Sequence, residues 1–286
     1  MSIFGSSGYD DRPRRGIGMR TIIGIVIVLI GIITYYSRTT VNPVTGEKQH
    51  IGNITEDQET RLGLAAAPEM AAQMGGEEDP SSAKSQTVER IGQFLVANSV
   101  AKKSPYKYDF HLLRDPNTVN AFALPGGQVF ITRALYDKLD DEASLGGVLG
   151  HEIGHVVNRH AAEHMAKGQL GQMIVTGVGV AASDRDHGYS GAMLASLVNN
   201  MVQLKYGRED ESESDAFGLR VMTEAGFDPR AMIDVMKVLE ASSKGGRPPE
   251  FMVTHPYPEH RIEAIARWLN EHPDEAKGMT RGRKLP

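Results

Sequence analysis

Sixteen consecutive residues without a charge, Thr21 to Tyr36 (TIIGIVIVLIGIITYY), constrain this chain most, because a segment this apolar has to leave water. A helix of that length, at about 1.5 Å per residue, falls short of a hydrocarbon core roughly 30 Å thick, but Arg20 and Arg38 can snorkel to its two surfaces. The Tyr35–Tyr36 pair suits a membrane interface. Residues 21–37 are therefore read as one transmembrane anchor. The rival is a cleaved signal peptide, yet YYSRTT after the run offers no small-x-small cleavage site. An internal core helix fits poorly, since the segment stands alone at a polar terminus. Arg12, Arg14, Arg15 and Arg20 precede the run and only scattered positive residues follow it. The positive-inside bias then predicts a cell inner (plasma) membrane location, single-pass, with a cytoplasmic N-terminus and the remaining chain outside, in an extracytoplasmic or periplasmic space.

The rest of the composition excludes several classes. A formal charge of −5 with both signs mixed gives no basic field for nucleic acid. The absence of cysteine removes disulfides, thiolate nucleophiles, Cys-ligated metal and a lipidated N-terminal cysteine, so any metal has to be held by His, Asp or Glu. Residues 1–20 read as a disordered tail, 38–82 as a juxtamembrane linker with a short helix near Thr55 to Ala66, 83–270 as the folded domain, and 271–286 as a solvated basic tail. Within the domain, Val88, Ile91, Leu95, Val96 and Val100 form a helical stripe. Three strand candidates follow, Tyr106 to Leu113, Thr118 to Leu124 and Gln128 to Thr132, with a Pro-Gly-Gly turn between the last two, which predicts a small antiparallel sheet. The remainder is helical in pattern: Arg133 to Leu139, one long helix from about Asp141 to Lys167, Ala192 to Ala225, Pro229 to Ser242 and Pro258 to Asn270. The apolar Gly-rich stretch Met173 to Ala182 has about half the residues a span needs, which predicts a buried or membrane-grazing helix.

The long helix carries HEIGH, residues 151 to 155. At helical spacing His151 and His155 project from one face, close enough for two imidazoles to meet one ion at about 2.0–2.1 Å. Glu152, one residue round, reaches a water at that ion without becoming a ligand, which is the placement of a general base. On an unbroken helix His160 and His164 point to the opposite side as a solvated or hydrogen-bonded pair. Zinc takes three protein ligands in a catalytic site, so a distant carboxylate is needed. The run Arg208 to Met222 (REDESESDAFGLRVM) supplies candidates. Glu211 and Asp215 share a side with Ser214, Gly218 and Met222, whereas Glu209, Glu213 and Glu224 fall opposite. Glu211 is therefore the expected third ligand and Asp215 the acceptor that orients a ligand histidine through its other ring nitrogen.

HEIGH followed by Glu211 in an E-x-x-x-D pattern, with NAFALPGG (Asn120 to Gly127) before it and THPYPEHRI (Thr254 to Ile262) after it, resembles peptidase family forty-eight of the metallo class. These are the gluzincin zinc metallopeptidases that include HtpX, the CAAX prenyl proteases and periplasmic envelope quality-control proteases. The resemblance spans about Thr118 to Ile265. It implies an α+β, predominantly helical, zincin-like (minigluzincin) domain with the small antiparallel sheet packed on the HExxH helix. It also implies one Zn2+ held by His151, His155 and Glu211, with Glu152 catalytic. HtpX and the prenyl proteases span the membrane several times and this chain has one convincing span, which argues against processing inside a membrane chamber.

Two further groups are expected near the reacting carbonyl. His255 is read as an oxyanion donor or as a gate that occupies the metal, and Arg261 as a second candidate for the oxyanion; each is equally open to a structural reading. Asn120, Ala121, Phe122 and Ala123 lie on a strand that either presents an open edge to an extended peptide or is paired inside the sheet. An open edge favours unfolded or misfolded proteins as substrates, since their backbones are available. The expected function is membrane-anchored zinc metalloendopeptidase in envelope quality control. The other reading is a chaperone-like holdase or assembly factor with a zinc-stabilised fold.

Overall fold

Ile22, Ile25, Leu29, Ile30 and Ile33 all point outward from helix α1 (Met19–Ser37) instead of packing inside the protein. Outward aliphatic side chains over this length are what a lipid-facing helix presents. The computed structural model describes residues 18–37, 39–52, 54–182, 206–243, 249–256 and 258–286. Among the described residues α1 is the one helix long and apolar enough to cross a membrane. Most of the N-terminal tail and the first part of the helix expected from Ala192 lie outside them.

The core is built on helix α3 (Ala83–Ala97), whose stripe Val88, Ile91 and Leu95 is fully buried, and on a three-stranded sheet of β3 (Asp109–Leu113), β4 (Ala121–Leu124) and β5 (Gln128–Thr132). The order is β3-β5-β4, with every residue of β5 buried. β4 and β5 form the expected hairpin, and the turn needs its two glycines because Gly126 and Gly127 have φ of 85° and 105°. β3 runs parallel to β5, with Asp109 opposite Gln128, so the sheet is mixed and not antiparallel throughout. The cause is the chain between β3 and β4. It makes a wide turn in which Asp115 accepts the N–H groups of Asn117 and Thr118, and so delivers β4 to the far side of β5 instead of folding it back on β3.

Helix α4 (Arg133–Tyr136) leads into α5 (Glu142–Val157), in which every residue is buried. A fully buried helix leaves terminal backbone groups that need partners. At the start Asp141 accepts the Ser144 N–H, and the Glu142 and Ala143 N–H groups donate to the carbonyls of Arg283 and Arg281, 2.9 and 3.0 Å away. The C-terminal segment is therefore not a solvated tail: Arg281 also pairs with Asp141 and Asp234, and Leu285 packs on the core. At the other end the Asn42 side chain donates to the Val157 carbonyl at 2.6 Å, and Gln49 to that of Asn158. Both come from a hairpin of β1 (Thr40–Val41) and β2 (Lys48–Gln49) in the stretch read as linker. In the same stretch α2 (Glu56–Gln73), opened by a Thr55–Gln58 capping box, lays Ala66, Met70 and Ala71 on Leu113, Leu124 and Phe130 of the sheet.

The single long helix expected over Asp141 to Lys167 is two helices. α5 ends at Asn158, Arg159 takes the left-handed conformation (φ 57°), and α6 (His160–Ala182) starts in a new direction. A non-glycine residue there is strained, and the strain is offset by ties from the Arg159 side chain to Glu59 (2.8 Å) and to the Ile54 carbonyl (3.0 Å). α6 runs beside α1, where a Cβ added at Gly31 would stand 3.2 Å from that of Met173. It is helical through Met173 to Ala182 as expected. α7 (Arg208–Glu224), α8 (Ala231–Ser242), α9 (Glu250–Thr254) and α10 (Pro258–Glu271) complete the domain, and α7 packs lengthwise on α5.

Candidate metal centre

α5 and α7 meet through glycine. A Cβ at Gly154 would be 2.9 Å from the Ser214 Cα and carbonyl oxygen, and one at Gly150 would be 3.4 Å from Gly218. The two backbones therefore nearly touch, and this brings the short reach of Glu211 on α7 within range of two imidazoles on α5. His151, His155, Glu211 and His255 are 1, 3, 1 and 1% exposed and converge on one point.

Their spacing matches a tetrahedral ion. Bonds of about 2.0–2.1 Å at tetrahedral angles separate ligand atoms by roughly 3.3–3.4 Å. The His151 and His155 Nε2 atoms are 3.1 Å apart, and they lie 3.6 and 3.4 Å from the two Glu211 oxygens. His255 Nδ1 is 3.3 Å from His151 Nε2 and 2.9 Å from Glu211 Oε1. Three imidazole nitrogens and a carboxylate converging on one buried point are the arrangement that a shared cation would require. The donor set of imidazoles and a carboxylate, without thiolate, fits zinc.

The groups behind the ligands fix their tautomers. Asp215 Oδ1 lies 2.9 Å from His151 Nδ1, so with the proton on that nitrogen Nε2 is left bare toward His155 and Glu211. His155 is held differently. Its Nδ1 lies 2.9 Å from Nδ1 of His160, whose Nε2 is 3.1 Å from Glu213. With Nε2 of His155 toward the ion, its Nδ1–H donates to His160, and the His160 Nε2–H donates to Glu213. The break at Arg159 turns His160 back onto His155 instead of away from it, while His164 pairs with Asp210 at 2.8 Å. Both histidines are hydrogen-bonded, one of the two states expected of them, but His160 faces His155 and not the opposite side.

Arg261 is fully committed. Its Nε and Nη2 donate to the two Asp215 oxygens at 2.8 and 2.7 Å, and Nη1 lies 2.8 Å from Glu211. With all three guanidinium nitrogens engaged, it braces Glu211 and Asp215 against each other. Burial alone would push Glu211 up, but His255 and Arg261 outweigh it and hold the carboxyl well below the usual range. Burial likewise opposes Asp215, and Arg261 and His151 overcome it. Glu152 behaves oppositely: burial lifts it above the usual range against the pull of His255 and His151. Both its oxygens are buried without a hydrogen-bond partner, as is Nε2 of His255, 3.7 Å from Glu152 Oε1.

Asn120, Ala121, Phe122 and Ala123 lie at or on β4, which is an edge of the sheet and not an interior strand. Tyr206, which carries no sequence signal, stacks on His155 with centroids 4.0 Å apart, and Phe251 stacks on His255 at 4.4 Å.

A profile of Peptidase family M48 matches residues 82–269. The chain is 32% identical over 243 residues to the mitochondrial metalloendopeptidase OMA1 of Schizosaccharomyces pombe, covering 84% of this chain and 69% of that one. It is 34% identical over 184 residues to the beta-barrel assembly-enhancing protease of Escherichia coli, covering 62% of this chain and 37% of that protein. With the mitochondrial metalloendopeptidase OMA1 of Bos taurus it shares 30% identity over 262 residues, 84% of this chain and 48% of the relative. The chain thus spans less than half the length of these last two.

Proposed function

The chain belongs to peptidase family M48, and from that membership we propose that it is a membrane-held zinc metalloendopeptidase acting on unfolded or misfolded envelope proteins. The observation that carries this reading is Glu152. It stands between two ligand histidines, 0% exposed, with both oxygens unpartnered. A metal that only shaped the fold would have no use for a buried, unsatisfied carboxylate at its side. That placement weighs against the holdase reading.

Zinc held by His151, His155 and Glu211 would supply a Lewis acid that lowers the pKa of water toward about 7 and polarises a peptide carbonyl. Glu152, raised by burial, takes the proton of the attacking water and returns it to the leaving amine. Asp215 and the His160–Glu213 pair hold the two imidazoles in the ligating tautomer, and Arg261 fixes Asp215 and Glu211 together. His255 Nδ1 points at the same place as the other three residues, so in this conformation it would take the position that substrate needs and act as a gate. Swung clear, its free Nε2 donates to the developing oxyanion.

The substrate lies along β4. The Thr132 N–H donates to the Asn120 carbonyl, so by the alternation of an antiparallel ladder the outward backbone groups are those of Ala121 and Ala123. A peptide added there is held by its backbone, which favours chains that are unfolded. The arginines before α1 support a cytoplasmic N-terminus with the catalytic domain on the far side of the inner membrane.

Glu152→Gln tests the reading. The variant is expected to bind one zinc per chain, measured by elemental analysis, and to lose casein cleavage by at least about a hundredfold. Retained cleavage, or a wild type that purifies without stoichiometric zinc, overturns it.

A further inference from the structure

A cavity of about 250 Å³ opens beside the metal centre, with His255 and Tyr206 in its lining. Phe122 of β4 and Asn120 just before it form one wall, and Met70 of α2 and Met74 at its C-terminal cap form the other. α2 precedes the residues matched by the family profile.

Three observations point to an occupant. The cavity is continuous with the reacting centre, because His255 belongs to both. Asn120 is 3% exposed, and its Oδ1 has no hydrogen-bond partner although it borders the cavity. A buried amide oxygen left unpaired costs about 1–3 kcal/mol, a deficit that an entering N–H removes. The third is the pleat. Phe122 and Leu124 share the face of the sheet that α2 covers, and Phe122 stacks on Phe130 of β5 with centroids 4.9 Å apart. A peptide added to the β4 edge continues the pleat, so every second side chain lies on this same face, against Phe122 and beneath Met70 and Met74.

The chemistry of that position is apolar. It is walled by two thioethers and a phenyl ring, and flexible, polarisable methionines accommodate apolar side chains of several shapes. Asp115 and Glu250 also border the cavity and disfavour an acidic guest.

We propose that α2 and β4 together form a substrate subsite that takes an apolar side chain at one fixed position from the scissile bond, with Met70, Met74 and Phe122 as its selecting surface and Asn120 Oδ1 accepting a substrate N–H. The proposal rests on the protease reading and assigns the juxtamembrane helix a role in specificity.

The test uses the full-length, zinc-loaded protein in detergent, digesting casein and a mixed peptide library, with cleavage sites mapped by mass spectrometry. The wild type is expected to enrich Leu, Ile, Met or Phe at a single position relative to the cut. Met74→Lys, at a half-buried site that tolerates a longer polar chain, is expected to lower the apolar-over-acidic preference at that position by about tenfold or more. Met70→Leu keeps the surface apolar and is expected to keep the preference. Absence of a preferred position in the wild type, or an unchanged profile in a folded, zinc-bound Met74→Lys, overturns the subsite while leaving the protease reading intact. Absence of any zinc-dependent cleavage by the wild type overturns both.

Discussion

Gly154 of α5 lies so close to Ser214 of α7 that a Cβ placed on it would stand 2.9 Å from the Ser214 Cα and carbonyl oxygen. The contact is backbone on backbone, so no side-chain rotation relieves it. Gly154→Ala is expected to force the helices apart by a few tenths of an ångström and to cost about 1–3 kcal/mol. Because Glu211 and Asp215 ride on α7 and both histidines on α5, the same shift stretches the ligand set. Thermal melting should show the loss, and chelator competition should show zinc affinity falling by about tenfold or more. Gly150→Ala meets Gly218 at 3.4 Å, an ordinary contact, and is expected to have a much smaller effect on both. Equal effects from the two substitutions would refute the close crossing at Gly154.

His160 makes the second prediction. Removing it leaves the His155 Nδ1–H buried without its acceptor, takes the His160 ring from the Ser214 hydroxyl, and leaves nothing to select the ligating tautomer. His160→Ala is expected to weaken zinc binding by about 10- to 100-fold. A residue that merely filled space would instead lower the melting temperature of the metal-free protein and leave the zinc dissociation constant alone. Measuring both separates the cases. Glu213→Gln keeps a carbonyl that accepts the His160 Nε2–H, so it should keep most of the affinity, whereas Glu213→Leu should not.

The cluster is legible in the sequence because it rests on periodicity. A four-residue spacing on one helix and another on a second determine which side chains face each other, and the structure brings His151, His155, Glu211 and Asp215 together accordingly. What periodicity does not carry was missed. His160 was placed on the wrong side because the break depends on Arg159 being tied to Glu59, a residue 100 positions earlier in the chain. The parallel pairing of β3 with β5 was invisible because alternation marks a strand but not its direction. The stretches read as linker and tail cap the two ends of α5 through single backbone and amide bonds, which leave no hydrophobic pattern.

The pairing of α1 with α6 gives a third prediction, made easy by a chain without cysteine. A Cβ at Gly31 would be 3.2 Å from that of Met173, slightly inside the roughly 3.5–4.5 Å range of disulfides. The double variant Gly31→Cys with Met173→Cys is expected to cross-link in membranes under mild oxidation, seen as a faster band on non-reducing gels. Moving one partner to the opposite face, as Ile33→Cys with Met173→Cys, should give little product. Equal cross-linking of both pairs would mean that α1 and α6 do not hold this register.

The last residues offer the final prediction. The N–H groups of Glu142 and Ala143 are at the start of a helix with no exposed residue, and their acceptors are the carbonyls of Arg283 and Arg281. Arg281 further neutralises Asp141, the residue that caps the same helix, and Asp234 on α8. Ending the chain after Met279 removes both acceptors and both ion pairs at once. Each lost bond to a buried donor costs about 1–3 kcal/mol, whereas exposed ion pairs add little. The truncated protein is therefore expected to unfold several degrees lower, by circular dichroism of the purified protein. Arg281→Ala alone spares the backbone bonds and should cost about 1 kcal/mol or less. If truncation and Arg281→Ala melt alike, the side chain and not the backbone holds the start of the catalytic helix, and the segment is no more than a charged patch.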